Sequence, residues 1–205
     1  MRTLIVITSM GHWVDWTSPL LNSLHEHEPL CSSIKVVDGL PFGHPDAPPG
    51  GHQLAPLHDS SLSQAINAGA CEGWDWLLWL ANDNVVEAPF LDALRILDPM
   101  TVYHRKFVTN DHLVWGDGGQ MLVGAPLWEK IGPFDERLRG GSEFFDLDYT
   151  MRAMAAGGWV GRLNLPIRNL PTTIRLDTER GRAAREFNRQ LMSAQYHTDL
   201  THMHG

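Results

Sequence analysis

Residues 76–84 read WLLWLANDN: five apolar residues in a row, an alanine, then Asn82-Asp83-Asn84. A short apolar run with no polar alternation is the pattern of a strand buried on both faces. Asn and Asp favour turns, so the strand stops abruptly in a polar step. Two upstream segments repeat the design. Residues 2–9 (RTLIVITS) form a β-branched apolar run ending in Thr8-Ser9, and residues 34–37 (IKVV) end at Asp38.

Helical spacing fills the gaps between these strands. Leu20, Leu21 and Leu24 make one apolar stripe, with Pro19 tolerated in the first turn. Leu62, Ala65, Ile66 and Ala70 make another within residues 58–73, with Asp59 or Ser60 as the expected cap. Residues 39–56, rich in Pro and Gly, read as a loop without regular structure. Downstream, the pattern predicts a short helix at 89–97, a strand at 102–108, and a strand at 112–123 interrupted by Gly116-Asp117-Gly118-Gly119. Helices follow at 126–131 and 146–156, the second stopped by Gly157-Gly158. A strand at 159–165 and a last amphipathic helix at 179–194 complete the order. Strands alternating with helices imply an α/β fold with a mostly parallel sheet. Ligands of such sheets bind outside the carboxyl ends of the strands, where Thr8-Ser9, Asp38 and Asn82-Asp83-Asn84 fall.

The chain of 205 residues suits one domain, expected over residues 1–195, with a flexible tail at 196–205. Cys31 and Cys71 offer no disulfide framework and no CxxC pair, and read as buried free thiols. The N-terminus lacks the long apolar stretch of a signal peptide, and no run reaches the roughly 18 residues of a membrane helix. A soluble, cytoplasmic protein is expected. Charge is uneven: residues 1–136 hold 6 Lys/Arg against 17 Asp/Glu, whereas residues 137–205 hold 10 against 7. Arg182, Arg185 and Arg189 share one helical face, either a solvated surface or a docking surface for an anionic acceptor or diphosphate. His197, His202 and His204 sit at a terminus, and His44, His52 and His58 border the Pro/Gly loop, where loop roles are the simpler reading. No GxGxxG, Walker A or GxSxG motif is present.

Four segments in order carry a resemblance. Asn67-Ala68-Gly69 precedes the WLLWL strand; LWLANDNVVEAPFLDAL spans 78–94; GGQMLVGAPLWEKIGPFDERL spans 118–138; FDLDYTMRAMAAGGW spans 145–159. Together they resemble the family 2 glycosyltransferases. That resemblance implies the GT-A fold, a Rossmann-like nucleotide-diphospho-sugar transferase architecture with a mixed, mostly parallel sheet flanked by helices. The implied activity is transfer of a sugar from a nucleoside diphosphate sugar to a hydroxyl acceptor, with inversion. It places Thr8, Asp38, Asn67 and Asp83 around the nucleotide sugar, Asp83 on a divalent cation (Mn²⁺ or Mg²⁺), and Asp146 as catalytic base. Plain structural readings stand beside these. Asp38 also suits a turn before Gly39, Asp83 a loop, and Asp146 a helix start. Asp148 and Arg152, four residues apart, suit an ion pair.

Three residues depart from the family pattern. Ala81 stands where the metal motif has its first acidic or amide residue, Phe145 where a Glu precedes the base, and Asn169 near a metal-binding His. Ala81 and Phe145 keep open a non-catalytic sugar-nucleotide or glycan-binding protein of the same fold. A nucleotidyltransferase is the third reading, disfavoured because Met10-Gly11-His12-Trp13 lacks a Lys or Arg after the first strand. The acceptor is open; the arginine-rich end leaves room for a polyanion, including modified nucleic acid.

Overall fold

The computed structural model describes residues 1–9, 13–29, 33–38, 53–54, 61–70, 73–110, 113–139, 144–171, 179–197 and 200. Strand β1 (Thr3–Ser9) is buried along its whole length, as its β-branched run requires. It lies between β2 (Ile34–Asp38), which pairs with β3 (Gln53–Leu54), and β4 (Trp76–Ala81); all four strands are parallel. A short strand β5 (Asn84–Val86) leaves the end of β4. Then β6 (Thr101–Asn110) and β7 (Leu113–Gly124) form a hairpin whose second strand docks antiparallel on β4. Strand β8 (Trp159–Arg162) adds in parallel to β6, giving the order β3-β2-β1-β4-β7-β6-β8. A separate two-stranded ribbon pairs β5 with β9 (Ile167–Asn169).

Period-two alternation along the central strands divides the apolar residues between two faces. Leu4 and Val6 of β1, with Leu77 and Trp79 of β4, join one core. That core is covered by α2 (Leu62–Gly69), α3 (Ala125–Ile131), α4 (Phe145–Ala155) and α5 (Glu179–Tyr196) through residues such as Ile66, Leu127, Tyr149 and Met192. Ile5, Ile7, Leu78 and Leu80 point to the opposite core. There they meet Leu20, Leu21 and Leu24 of α1 (Ser18–His27), which follows a π-helical turn at Trp13–Thr17. Each such buried Leu or Ile contributes about 1.5–3 kcal/mol by leaving water. Helix α2 lies so close to the sheet that a Cβ on Gly69 would sit 2.6 Å from Val6 Cγ1, so glycine is required there.

Several expectations shift. Strand β7 runs through 113–124, but its glycines leave a mark: Gly118 and Gly119 fall at the register shift in its pairing with β6, beyond the reach of its pairing with β4, which begins at Gln120. Gly116 in particular faces the His104 ring, where an added Cβ would lie 2.1 Å from Nδ1. Helix α2 is capped by Ser61, which closes a capping box with Gln64; Asp59 and Ser60 lie outside the described residues. The expected helix at 89–97 is a 3-10 helix, Leu91–Ile96. Within the Pro/Gly segment Gln53–Leu54 is a strand. At the C-terminal end Tyr196 closes α5, and Leu200 is 1 % exposed against the core; 198–199 and 201–205 lie outside the described residues. Apolar burial, invisible in a short terminal sequence, holds Tyr196 and Leu200. Cys31, Cys71, His44, His52, His58, His202 and His204 lie outside the described residues.

Candidate active site

Strand register brings the polar ends of β1, β2 and β4 to one level. Ser9 pairs with Asp38, and Thr8 with Ala81. One residue beyond, Asn82 is buried and donates through Nδ2 to Thr17 Oγ1 at 3.1 Å; that hydroxyl also lies 3.1 Å from Ser9 Oγ. The network ties the π-helical turn to both strand ends and fixes the floor of the edge. Thr8 is buried, and its hydroxyl accepts the Trp79 indole N–H at 3.0 Å. Asp38 is the last residue of β2, at this edge.

The turn after β4 closes when Asn84 donates to the Ala81 carbonyl at 2.7 Å. The Leu170 N–H donates to the Asp83 carbonyl at 2.6 Å, bringing the β9 end beside it. In the ribbon Asn84 faces Asn169. Gln120 Nε2 donates to Asn84 Oδ1 at 2.8 Å, joining β7 to the same cluster. Gly119, at φ +67°, lets these elements converge: a Cβ there would lie 3.0 Å from Ala81 Cβ and 3.8 Å from Asn169 Nδ2. Asp83 Oδ1 is buried with no hydrogen-bond partner among the described residues. Burial pushes the Asp83 carboxyl above its ordinary value; a backbone hydrogen bond and the nearby charge of Arg105 pull the other way. Arg105 itself is half-buried and donates through Nη1 to Asn169 Oδ1.

Asp146 reaches the same edge by another route. The end of α4 meets the start of β6, where the Trp159 N–H donates to the Met100 carbonyl at 3.2 Å. Its middle is tied to β6 by Thr150 Oγ1, 2.8 Å from His104 Nε2. The helix therefore runs opposite to β6 and points its first turn at the strand ends. Phe145 anchors that turn: it is 5 % exposed and packs edge-on against Trp79 at 5.0 Å. The Phe found in place of Glu is thus a core residue that sets the height of Asp146. Phe144, just before it, adopts the left-handed conformation at φ 74°, strained for a bulky side chain by about 1–3 kcal/mol and held by its burial. Asp146 Oδ1 accepts the Leu147 N–H at 2.9 Å.

Asn67, expected beside the nucleotide sugar, is bonded to the turn at 132–136. Its amide oxygen accepts the Phe134 N–H at 3.0 Å, and its nitrogen donates to Phe134 O at 2.9 Å and Glu136 Oε1 at 3.0 Å. It clamps the Gly-Pro-Phe-Asp-Glu turn, whose Phe134 stacks on Tyr149 at 4.2 Å. Asp148 and Arg152 form the expected pair at 2.8 Å. Arg105, Thr17 and Gln120 were not singled out by sequence. A cation inside an otherwise strand-like run, TVYHRKFV, is the signal that marks Arg105.

The donor set offers a divalent cation a single carboxylate. Of the three positions where the resemblance expects metal ligands, Ala81 has no donor, Asn169 Oδ1 is engaged by a guanidinium, and only Asp83 offers a carboxylate. Among the described residues no group of three His, Cys, Asp or Glu side chains is placed to hold an ion.

No family model matches the sequence, and no curated protein matches it. Solved structures do. GalNAc-T7 with UDP, GalNAc and Mn²⁺ aligns over 99 % of this chain and 53 % of its own, at 11 % identity and a TM-score of 0.67. The Pyrobaculum calidifontis mannosyltransferase with GDP-Man and Mn²⁺ aligns over 96 % and 63 %, at 11 % identity and 0.64. The catalytic domain of Drosophila β1,4-galactosyltransferase 7 with xylobiose aligns over 88 % and 75 %, at 14 % identity and 0.57. The chain thus spans about half of GalNAc-T7 and under two thirds of the mannosyltransferase. No helix among the described residues is long and apolar enough to cross a membrane. At these identities the likeness establishes architecture: the chain has the GT-A glycosyltransferase fold, a mixed, mostly parallel sheet flanked by helices.

Proposed function

We propose that the chain transfers a sugar from a nucleoside diphosphate sugar to a hydroxyl acceptor, with inversion. The observation that carries this reading is the convergence of the strand-end polar residues, the orphaned Asp83 oxygen and Asp146 on one edge of a GT-A sheet. Nucleotide and ribose lie against the ends of β1 and β2, at Thr8 and Asp38, where a carboxylate accepts N–H or O–H donors. Asp83 Oδ1 accepts a donor hydroxyl. Asp146 takes the proton of the acceptor hydroxyl as its oxygen bonds to the anomeric carbon. The bond from that carbon to the diphosphate breaks, and its electron pair leaves with the diphosphate oxygen. Asn67 supports the site from a distance by holding the turn beneath α4. The donor set described above supplies no cation to this scheme.

Asp146→Asn is expected to keep nucleotide-sugar binding while transfer falls at least a hundredfold, the low end of general-base contributions. Unimpaired turnover by that variant overturns the assignment. A second reading, a non-catalytic sugar-nucleotide or glycan-binding protein, is favoured by Ala81 and by the buried Phe145. Binding of UDP or GDP sugars without even slow donor hydrolysis supports it. The acceptor, which includes the possibility of a polyanion, is addressed by salt dependence: affinity that ignores ionic strength argues against nucleic acid. Arg189, one of the basic residues behind that idea, is paired with Glu186 at 2.5 Å.

A further inference from the structure

We infer that Arg105 is the resident cation of this site, binding the diphosphate of the donor where a divalent ion would otherwise be needed. The inference rests on the nucleotide-sugar reading and deepens it.

The chemistry sets the requirement. A departing diphosphate gains negative charge as its bond to the sugar breaks, and a preorganised positive group lowers that barrier. The donor set offers a metal ion only the Asp83 carboxylate, and the same spot holds a guanidinium. Three features of the chain direct it there. The pairing of β6 with β7 is irregular between His104 and Lys106, so Gly118, Gly119 and Gln120 stand opposite the single residue Arg105. Bulges of this kind re-aim a side chain, and they concentrate beside active sites. Next, Asn169, at the position of the expected histidine, uses its amide oxygen to grip the guanidinium. A neutral amide orients the group without cancelling its charge, and the bond takes one of five N–H donors. Finally, Asn169 pairs with Asn84 and the next residue, Leu170, donates to the Asp83 carbonyl, so the amide that grips Arg105 stands beside the turn that carries the orphaned Asp83 Oδ1. A planar guanidinium suits phosphate oxygens because it offers paired, parallel N–H donors. An alanine at 81, an amide at 169 and an arginine at a register shift thus come together around one turn.

The test uses the full-length chain and calorimetric titration with UDP, GDP, ADP, CDP and dTDP, each in EDTA and in Mn²⁺. The matching nucleoside monophosphate is measured alongside, and thermal melts confirm folding of every variant. The expected result is diphosphate binding in EDTA, with Mn²⁺ changing Kd less than about threefold. Arg105→Met is expected to weaken the diphosphate at least tenfold, about 1.4 kcal/mol, and to erase its advantage over the monophosphate. Arg105→Lys, which keeps the charge and loses the fork, should recover part of that advantage. Binding that requires Mn²⁺, or that Arg105→Met leaves unchanged, overturns the role of Arg105 while leaving the donor reading intact. Failure of all five diphosphates in both conditions overturns the two together.

Discussion

Two buried or half-buried carboxylates, Asp148 and Asp83, sit in opposite circumstances. Asp148 is 0 % exposed, and three side chains donate to it: Arg152 Nε at 2.8 Å, Tyr196 Oη at 2.9 Å and Gln195 Nε2 at 3.0 Å. It ties α4 to the last turn of α5. Asp83 is only partly covered, yet one of its oxygens is buried without a partner. A carboxylate surrounded by its own protein's donors is finished with its work once the chain folds. One held short of a partner keeps its hydrogen-bonding capacity. Two aspartates that look interchangeable in sequence are separated by this into a structural joint and a group still able to receive a hydrogen bond.

The contrast breaks most visibly at the joint. Asp148→Ala leaves Arg152 without its partner and frees the end of α5. Removing one member of a buried pair costs about 3–5 kcal/mol, which lowers the melting midpoint by roughly 10 °C. A variant within about 1 kcal/mol of the parent in denaturant titration removes Asp148 from its structural role. An acid titration probes the same side of the molecule with a slightly smaller effect. His104, packed between Gly116 and Thr150, is pushed down to about 4 by burial. The unfolded chain takes up its proton near 6.5 and the folded one does not, so stability present above pH 6.5 is lost as pH falls toward 4. The shift amounts to about 3 kcal/mol. Chemical denaturation of His104→Gln across that window should show a correspondingly shallower pH dependence than the parent; identical slopes exclude His104 as the cause.

The smallest effect is expected at the receiving group, and its sign is reversed. Because burial raises the Asp83 carboxyl, the folded chain holds that proton more tightly than the unfolded chain does. Asp83 therefore costs stability at neutral pH, and the cost is relieved as pH falls through its raised value. Asp83→Asn should stabilise the fold slightly, by less than about 1 kcal/mol after solvent screening, while weakening nucleotide-sugar binding. A clear loss of stability with binding intact makes Asp83 a structural residue like Asp148.

How much of this was written in the sequence differs between the two sites. The β1, β2 and β4 runs are legible because burial on both faces demands unbroken apolar residues, and Asn82-Asp83-Asn84 marks its own strand end. The Asp148–Arg152 pair follows from helical spacing alone. Its other partners, Gln195 and Tyr196, lie 47 and 48 residues away, in a stretch that reads as a fraying end. The glycines of β7 are legible in part: they mark the register shift at Gly118 and Gly119, while the continuation of the strand to Gly124 depends on its pairing with β4. The helix of Asn67 is legible, but its bonds to Phe134 and Glu136, 67 and 69 residues away, are not, because nothing local in the sequence encodes them. Arg105 depends on a pairing irregularity between two strands, which no single segment encodes.

The docking of β7 on β4 also affects how the protein is made. As the chain emerges from the ribosome, β4 has β1 on one side and nothing on the other until residues 113–124 follow. At ordinary rates of synthesis that interval lasts a few seconds. Throughout it, WLLWLA is an unpaired edge of tryptophan and leucine, the kind of segment that recruits strands from other nascent chains. Asp75 stands immediately before this run and Asp83 just after it. Flanking charges of this sort discourage intermolecular pairing, and two aspartates bracket the run through the interval in which it has no second partner.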